Sequence, residues 1–337
     1  MKKNVVNWGI ISTAKIGLEH VIPAIQKSKN SKVLGLASRD LKKAKSLCNK
    51  LNIPKSYGSY EELYQDPDID IIYNPLPNHL HIKTTLKASK HGKHVLLEKP
   101  LSLKAKDIDP LIKSSKKNKV IIKEAFMVRH HPQWQWIKKF IKDGNIGNIS
   151  SISTVFSYSN KDPKNIRNIL KFGGGAIYDI GCYPTVISRY LSNKEPKRAV
   201  AAVIKDKKFK TDILSSVMLD FGEFFSSYTV STQSNLSQQV TILGTKKTIV
   251  IENPFNAAPS KPATVVVYNG RSIYRKENTI KTFSLVDQYE RQATVFSDHL
   301  LKKTKIDFDL EDSKKKYESL GCNFQVYKKG HLGQSLI

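Results

Sequence analysis

Short apolar runs alternate with amphipathic stretches along the first third of the chain. The runs are rich in Val, Ile and Leu, as buried strands are, and they cover residues 5–11, 33–38, 69–74, 94–98 and 120–124. The intervening stretches have the apolar spacing of helices and cover residues 16–29, 41–51, 60–65, 79–91 and 107–118. Because strands and helices that alternate in this way form a parallel sheet covered on both faces, the pattern predicts a doubly wound Rossmann domain over residues 1–123.

The regular alternation of predicted strands and helices ends near residue 124. A helix predicted over residues 132–143 is followed mainly by β-type runs, at residues 150–158, 198–204, 215–221, 224–231, 239–243, 247–252, 264–268 and 272–274. Turn sequences between several of them favour antiparallel neighbours. Two more helices are predicted over residues 288–303 and 310–322, and the C-terminal one is expected to pack near the first domain. Residues 124–337 are therefore predicted to form an α+β domain with an open, mostly antiparallel sheet.

Length, apolar runs and cysteine spacing limit the classes of protein to which the chain can belong. A chain of 337 residues suits two domains, and no apolar stretch approaches the roughly 20 residues of a membrane helix. Cys48, Cys182 and Cys322 are far apart and lack C-x-x-C spacing, which argues against disulfides and a zinc knuckle. We expect a soluble, cytoplasmic protein.

The formal net charge of +27 allows two interpretations. Basic surfaces attract nucleic acids and membranes, but here the lysines are spread along the chain without an arginine-rich arm. We expect no nucleic-acid or membrane partner and attribute most of the charge to compositional bias. The alternative that it attracts an anionic substrate stays open.

A nucleotide fingerprint follows the first predicted strand. The segment from Gly9 to Gly17 resembles G-x-G-x-x-G/A, with Ser12, Ala14 and Gly17 at the small positions. The expected cofactor contacts here are Gly9, Ser12, Thr13, Ala14, Lys15 and Ile16. A tight turn in a domain without a nucleotide is the competing interpretation.

The end of the second strand bears on the choice of cofactor. Ser38 and Arg39 can receive a 2′-phosphate and favour NADP, whereas an acidic residue there typically binds the ribose of NAD. Asp40 keeps NAD possible if the register shifts slightly.

Two further strand ends carry candidate site residues. Ligands of open α/β sheets lie beyond the carboxyl ends of the strands, where a proline-rich turn and a Glu-Lys-Pro segment fall. A lysine that closes an apolar strand is poorly explained by core packing. The expected cofactor contacts at these two ends are Pro75, Leu76, Asn78, Glu98 and Lys99.

Taken together, these segments, residues 124–132 and the stretch Gly-Gly-Gly-Ala-Ile-Tyr-Asp-Ile-Gly-Cys-Tyr-Pro at residues 173–184 resemble the glucose-fructose oxidoreductase, inositol dehydrogenase and rhizopine-catabolism family (Gfo/Idh/MocA). The resemblance covers nearly the whole chain. It implies a dinucleotide-binding domain, a C-terminal domain that supports substrate binding and subunit association, and catalytic roles for Lys99 and Asp179. Tyr183 replaces a histidine that many members carry, as in the branches of glucose-fructose oxidoreductase, NADP-dependent xylose dehydrogenase, dimeric dihydrodiol dehydrogenase and sugar 3-ketoreductases.

The predicted chemistry is hydride transfer accompanied by proton transfer. Tyr183 would move the proton, and the ammonium of Lys99 would favour its phenolate. Asp179 would orient Lys99 or a substrate hydroxyl. By resemblance, His81 is expected near the nicotinamide and Arg129 near the substrate, and Tyr158 is a further expected substrate contact.

Four histidines, at positions 79, 81, 130 and 131, invite a metal-site interpretation. Their spacing matches no H-E-x-x-H motif, and hydride transfer needs no metal, so we expect none.

The leading hypothesis is an NADP-dependent dehydrogenase of an aldose or another cyclic sugar or polyol, acting as a homodimer or homotetramer. The same chemistry in reverse would make it an NADPH-dependent 3-ketoreductase of nucleotide-linked sugars. A non-catalytic sensor that binds a dinucleotide is the alternative from another class.

Overall fold

The computed structural model describes residues 4–270, 278–302, 304, 308–321 and 325–326. Contacts divide these residues into two compact units. The first unit contains the described residues of 1–134, 258–261 and 285–315, and the second contains those of 135–257, 262–284 and 316–337.

The first unit is built on a six-stranded sheet in which every neighbouring pair of strands is parallel. Its strands are β1 (Val6–Ile11), β2 (Ser31–Ala37), β3 (Lys55–Tyr57), β4 (Ile71–Asn74), β5 (His94–Glu98) and β6 (Ile122–Ala125). They lie in the order β3-β2-β1-β4-β5-β6. The predicted Rossmann sheet is confirmed.

Helices connect these strands and continue into the second unit. They are α1 (Ile22–Lys27), α2 (Leu41–Leu51), α3 (Tyr60–Gln65), α4 (His81–Lys90), α5 (Asp109–Asn118), α6 (Pro132–Lys142), α7 (Cys182–Ser192), α8 (Gln288–Lys302) and α9 (Leu310–Gly321). Two segments that lead into α1 and α7 are π-helical, at Gly17–Val21 and Ile177–Gly181. None of the described helices is long and apolar enough to cross a membrane.

Helix α8 belongs to the first unit and packs on its core. Trp8 of β1 is fully buried, and its ring meets Phe296 of α8 edge to face at a centroid distance of 5.9 Å. The indole N–H donates to the Ser297 hydroxyl at 3.2 Å, so the polar edge of the buried ring is satisfied. A segment distant in sequence thereby completes the core of the Rossmann unit.

The second unit carries a nine-stranded, mostly antiparallel sheet, as predicted. Its strands are β7 (Ile149–Ser159), β8 (Arg198–Lys205), β9 (Asp212–Asp220), β10 (Phe225–Ser231), β11 (Gln233–Gly244), β12 (Thr248–Ile251), β13 (Ala263–Tyr268), β14 (Asn278–Phe283) and β15 (Gln325–Val326). They lie in the order β14-β13-β12-β11-β7-β10-β9-β8-β15, with β7–β10 and β8–β15 parallel.

The two faces of this sheet differ. Helix α7 covers one face, where Ser188 shares a hydrogen bond of 2.7 Å with Ser226 of β10. The opposite face stays exposed: Val155 of β7 and Met218 of β9 keep 43% and 44% of their surface open. Alternation along each strand therefore sends one set of side chains to the core and leaves the other uncovered.

Three strands were missed by the sequence pattern, namely β3, β14 and the two-residue β15. Strand β3 is three half-buried residues long and shows no alternation, and β14 is exposed along nearly its whole length at the edge of its sheet. Neither strand buries enough apolar surface to produce a hydrophobic pattern. The predicted strand at residues 272–274 lies outside the described residues.

Candidate active site

The nucleotide fingerprint forms a tight turn between β1 and the helical stretch that begins at Lys15. Ser12 takes a positive φ of 75°, a conformation that favours glycine and that serine adopts here as an exception. Its amide donates to the Ala37 carbonyl at 2.9 Å, and its hydroxyl accepts from the Ala14 amide at 3.1 Å. A turn of this form at a helix start is suited to a pyrophosphate.

Position 17 favours a small residue for a different reason. A Cβ there would lie 3.5 Å from the Tyr73 ring and 3.7 Å from Pro75, so a longer side chain would separate the helix from the sheet. This is the packing role of the third small residue of the fingerprint. Among the other expected cofactor contacts of the turn, Thr13 and Ile16 are half-buried.

The residues after β2 have distinct surroundings. Ser38 is buried and its hydroxyl accepts from the Asp40 amide at 3.2 Å. The Asp40 carboxylate is the N-cap of α2, where it accepts from the Lys43 amide at 3.1 Å. Arg39 is exposed. Burial of Tyr60 raises the pKa of its hydroxyl, and the positive charge of Arg39 opposes that rise. Asp40 is thus occupied as a cap, while the Arg39 side chain reaches solvent.

Lys99 follows β5 directly, at the carboxyl edge of the parallel sheet. The adjacent Glu98 carboxylate accepts from the Tyr73 hydroxyl at 2.7 Å and from the Lys99 amide at 3.2 Å. Burial raises the pKa of Glu98, and both the Tyr73 hydrogen bond and the Lys99 charge oppose that rise. Glu98 is therefore held by its neighbours at the point where the Lys99 side chain starts.

His81 lies deeper than the sequence predicts. Its ring is fully buried, with Nδ1 2.8 Å from the Pro100 carbonyl oxygen and Nε2 2.6 Å from that of Leu76. Burial lowers its pKa. This placement does not support direct contact with a nicotinamide, because both ring nitrogens already face main-chain oxygens. Instead, His81 ties together the loops that follow β4 and β5.

Arg129 is also placed differently from its expectation as a substrate contact. Its side chain is 7% exposed, and Nη1 donates to the Asp312 carboxylate at 2.9 Å. The guanidinium lies 3.8 Å from the centre of the Phe308 ring. These contacts occupy Arg129 inside the first unit, where charge pairing offsets part of the cost of burial.

The four histidines are not gathered into a metal centre. Among the residues that the structure describes, no group of three or more His, Cys, Asp or Glu side chains is arranged to hold an ion. His130 and His131 are buried, and burial lowers the pKa of both, that of His131 to about 4.

In the second unit, the expected residues Tyr158 and Asp179 meet. The Tyr158 hydroxyl donates to Asp179 Oδ2 at 2.5 Å, and Arg167 Nε donates to the same oxygen at 2.9 Å. Tyr183 follows one helical turn later and is 4% exposed. Its ring contacts Phe156 and Phe255, at centroid distances of 5.7 and 5.3 Å. A carboxylate with two donors and a tyrosine against apolar rings thus share one helical segment.

The glycine loop before this segment packs closely against other residues of the second unit. A Cβ on Gly174 would lie 2.4 Å from the Arg167 carbonyl oxygen, and one on Gly175, whose φ is +126°, would lie 1.9 Å from Asp212 Oδ1. The Asp212 carboxylate accepts from the Ile177 amide at 2.7 Å, at the start of the helical segment. The glycines therefore let Arg167 and Asp212 approach the helix that carries Asp179.

Arg167 and Asp212 were missed by the sequence analysis. Asp212 lies on a distant strand, and no spacing rule connects it to the glycine loop. Arg167 had a weak signal, as an arginine a few residues before the glycines in a loop otherwise rich in lysine and asparagine.

Two family models match the chain. Residues 6–126 match the oxidoreductase family Gfo/Idh/MocA, described as having an NAD-binding Rossmann fold, and residues 134–250 match the Gfo/Idh/MocA C-terminal domain. Together they cover most of the sequence up to residue 250, including the segments whose motifs indicated the resemblance.

Several relatives are similar over most of their length. An uncharacterized oxidoreductase of Rhizobium meliloti is 39% identical, over 91% of this chain and 92% of the relative. The trans-1,2-dihydrobenzene-1,2-diol dehydrogenase of Xenopus tropicalis is 34% identical, over 78% and 79% respectively. The D-xylose 1-dehydrogenase (NADP(+)) 2 of Haloferax volcanii is 31% identical, over 86% and 87%.

A solved structure shares the fold. The 3-ketoreductase from Actinomadura kijaniata, in complex with NADP and TDP-benzene, superposes with a TM-score of 0.86 over 93% of this chain and 95% of that one. Its sequence identity is 23%, so the likeness concerns the architecture.

The glycine loop yields a stability prediction. Gly174→Ala places a methyl group against the main chain of Arg167, which must shift, and we expect a loss of about 1–3 kcal/mol in the free energy of unfolding. The measurement is urea unfolding of the variant and the parent protein. Gly181→Ala is the matched control, since its nearest atoms lie at an ordinary 3.5 Å. Equal stability of Gly174→Ala and the parent would contradict the packing role of Gly174.

Proposed function

This chain belongs to the Gfo/Idh/MocA oxidoreductase family, and from that premise we propose that it is an NADP-dependent dehydrogenase acting on a hydroxyl group of a cyclic sugar or polyol. The proposed substrate is an aldose oxidised at its anomeric carbon. Two relatives above 30% identity support this choice, one named a D-xylose 1-dehydrogenase with NADP and one a diol dehydrogenase.

The observation that carries the proposal is the position of Lys99 at the carboxyl edge of the Rossmann sheet. It closes β5 in the unit that also holds the fingerprint turn at Ser12. In open α/β sheets this edge is where the reacting end of a dinucleotide ligand lies. An ammonium group there suits a reaction that develops negative charge on oxygen.

The residues present fit a dinucleotide. The turn at Ser12 and the helix start after it would hold the pyrophosphate, and Ser38 with Arg39 would hold the 2′-phosphate of NADP. A bound nicotinamide would supply the acceptor or donor of the hydride that the carbinol carbon exchanges. Residues 1–123 are proposed as the cofactor domain, whose core helix α8 completes, and residues 124–337 otherwise as the substrate domain.

Side chains of the protein transfer the proton that accompanies the hydride. Tyr183 accepts the hydroxyl proton as the substrate is oxidised and returns it when a ketone is reduced. Lys99 stabilises the charge on the reacting oxygen and favours the phenolate of Tyr183. Asp179 orients Lys99 or a substrate hydroxyl, while Tyr158 holds the Asp179 carboxylate in place.

Reduction of a nucleotide-linked 3-ketosugar is the second candidate function. The observation that favours it is a basic loop before the glycines, in which Lys161, Lys164 and Lys171 are exposed. Such a loop would attract the diphosphate of that substrate class. A screen of aldoses with NADP, and of ketosugar nucleotides with NADPH, separates the two candidates. Tight cofactor binding without turnover of either set would instead favour a sensor.

We also propose a cytoplasmic location, because Cys48, Cys182 and Cys322 lie far apart in the sequence and have no C-x-x-C spacing.

Removal of either catalytic group tests the proton-transfer assignment. We expect Lys99→Ala and Tyr183→Phe each to lower kcat by roughly 10²- to 10⁴-fold, since each removes a group that acts on the reacting oxygen. The measurement is steady-state reduction of NADP with the best sugar of the screen. Lys106→Ala is the control for Lys99→Ala, since it removes an exposed lysine elsewhere in the same unit. Tyr190→Phe is the control for Tyr183→Phe, since it removes another tyrosine hydroxyl from α7. Unchanged turnover in Tyr183→Phe would show that another group moves the proton.

The cofactor preference depends on Arg39. We expect Arg39→Ala to weaken NADP binding by roughly 10- to 100-fold and to leave NAD binding nearly unchanged, because it removes a charged partner of the 2′-phosphate. Fluorescence titration with both cofactors measures this. Lys45→Ala removes another exposed charge, from α2, and serves as the control. Tighter binding of NAD than NADP by the parent protein would overturn the preference.

The exposed face of the large sheet is the proposed subunit interface. On the five adjacent strands β11, β7, β10, β9 and β8, the ionisable side chains of this face are confined to one end, where Arg198 pairs with Asp220. The other outward side chains are small, polar or apolar: Ser151, Ser153, Val155, Val200, Ala202, Ile204, Leu214, Ser216, Met218, Phe225, Ser227, Thr229, Gln239, Thr241 and Leu243. A face whose centre carries no charge contrasts with a chain of which 25% of the residues are charged. A second copy of the chain could dock there without direct repulsion between two strongly positive subunits.

A charge at the centre of this face should separate the subunits. We expect Met218→Glu to convert the assembly into monomers, because burying an unpaired carboxylate costs several kcal/mol. Sedimentation velocity of the variant and the parent protein measures the change. Leu41→Glu, which changes a similarly exposed leucine of α2, is the control. A monomeric parent protein would refute the interface.

A further inference from the structure

The charge balance around Asp179 poses a problem for the proposed base. Asp179 and Tyr183 lie four residues apart on one continuous helical segment, the π-helical residues 177–181 followed by α7. A carboxylate close to a phenol disfavours the phenolate, because two negative charges repel. A tyrosine that accepts a proton at this position therefore needs, in addition to the proposed Lys99 ammonium, a positive charge that offsets Asp179.

Arg167 supplies a positive charge on the same oxygen that Tyr158 approaches. Its Nε donates to Asp179 Oδ2 at 2.9 Å. The Asp179 charge raises the pKa of Arg167 most strongly, against the effect of burial, and ionised Tyr158 and Tyr183 raise it further. Because such interactions are mutual, the guanidinium stabilises the anionic form of each of these three groups.

The main chain of Arg167 is fixed on both sides. Its amide donates to the Asn165 side chain at 3.1 Å, and its carbonyl accepts from the Gly175 amide at 3.0 Å. Gly174 permits this approach because it has no Cβ. The guanidinium is therefore attached to a backbone position that two hydrogen bonds fix, although 40% of the side chain remains exposed. This arrangement differs from that of a mobile surface arginine.

Five other titratable groups that the structure describes near this segment do not provide the same charge. They are Tyr158 of β7, Asp212 of β9, Tyr228 of β10, and Tyr178 and Cys182 of the helical segment. Burial raises the pKa of Asp212, Tyr178 and Tyr228, so each is biased towards its neutral form. None of these groups is a cation.

We propose that Arg167 is a positioning residue that holds Asp179 ionised and offsets its charge, so that Tyr183 can act as a base in the working pH range. The proposal rests on the proposed role of Tyr183 in proton transfer. Arg167 acts through Asp179 and through its field at Tyr183, without contacting the reacting atoms.

The kinetic test is the pH profile of kcat/KM for sugar oxidation by the parent protein and by Arg167→Gln, Arg167→Lys and Lys164→Gln. We expect Arg167→Gln to move the acidic limb to higher pH by about one unit, since the phenolate then faces an uncompensated carboxylate. Arg167→Lys keeps the charge and should recover more than half of that shift. Lys164→Gln removes a charge from an exposed position of the same loop and should move the limb by less than about 0.2 unit.

Two kinetic results would overturn the proposal. A fall in kcat without movement of the acidic limb, and without recovery in Arg167→Lys, would mean that Arg167 supports the loop alone. A rise in KM confined to phosphorylated or carboxylated substrates, with kcat and the profile unchanged, would mean that Arg167 recognises a substrate anion instead.

A second measurement does not depend on turnover and so separates this proposal from the proposed function. The near-ultraviolet absorbance of phenolate is titrated in the parent protein and in Tyr183→Phe, and the difference isolates Tyr183 among 14 tyrosines. The same difference is taken between Arg167→Gln and its double variant with Tyr183→Phe. We expect Tyr183 to ionise at higher pH when Arg167 is absent. An identical titration in both backgrounds would refute the proposal, even if the screen of sugars revealed no activity.

Discussion

Parallel pairing of the Rossmann strands is the constraint on which the cofactor end depends. Strands β1, β2, β4 and β5 run in the same direction, so their carboxyl ends meet at one edge of the sheet. The groups that follow those ends are the Ser12 turn, Ser38, the loop after Asn74, and Lys99. They are far apart in sequence, and their common edge follows from strand direction alone. Side chains on both faces of the sheet are buried, which keeps the strands in register.

A different arrangement positions the candidate residues of the second unit. Its candidate groups lie on a helix start rather than at strand ends, and the glycine loop brings main chain and carboxylates close to that start. Asp212 accepts from the Ile177 amide, and Arg167 pairs with Asp179 two residues later. The π-helical form of residues 177–181 occurs at this point, as such segments often do at functional sites. Another π-helical segment follows the nucleotide turn, at residues 17–21.

Contacts within the first unit changed the roles expected for two residues. His81 and Arg129 were assigned to ligand contact by resemblance, yet both are buried and engaged by the protein. His81 spans two main-chain oxygens from separate loops, and Arg129 is paired with Asp312 of α9. A polar residue near a ligand-binding edge can serve that edge by fixing its loops, since a buried polar group must find partners. Which role it takes depends on partners distant in sequence.

The sequence by itself determined the fold class, the direction of the sheets and the position of Lys99 at a strand end, because these follow from hydrophobic periodicity and from motifs of adjacent residues. It also placed Asp179 and Tyr183 on one helical segment. Only the tertiary structure decided that Arg167 and Tyr158 share one oxygen of Asp179, and that Asp212 caps the segment. These contacts join a loop, two strands and a helix. Spacing along the chain carries no information about which residues such a folded arrangement brings together.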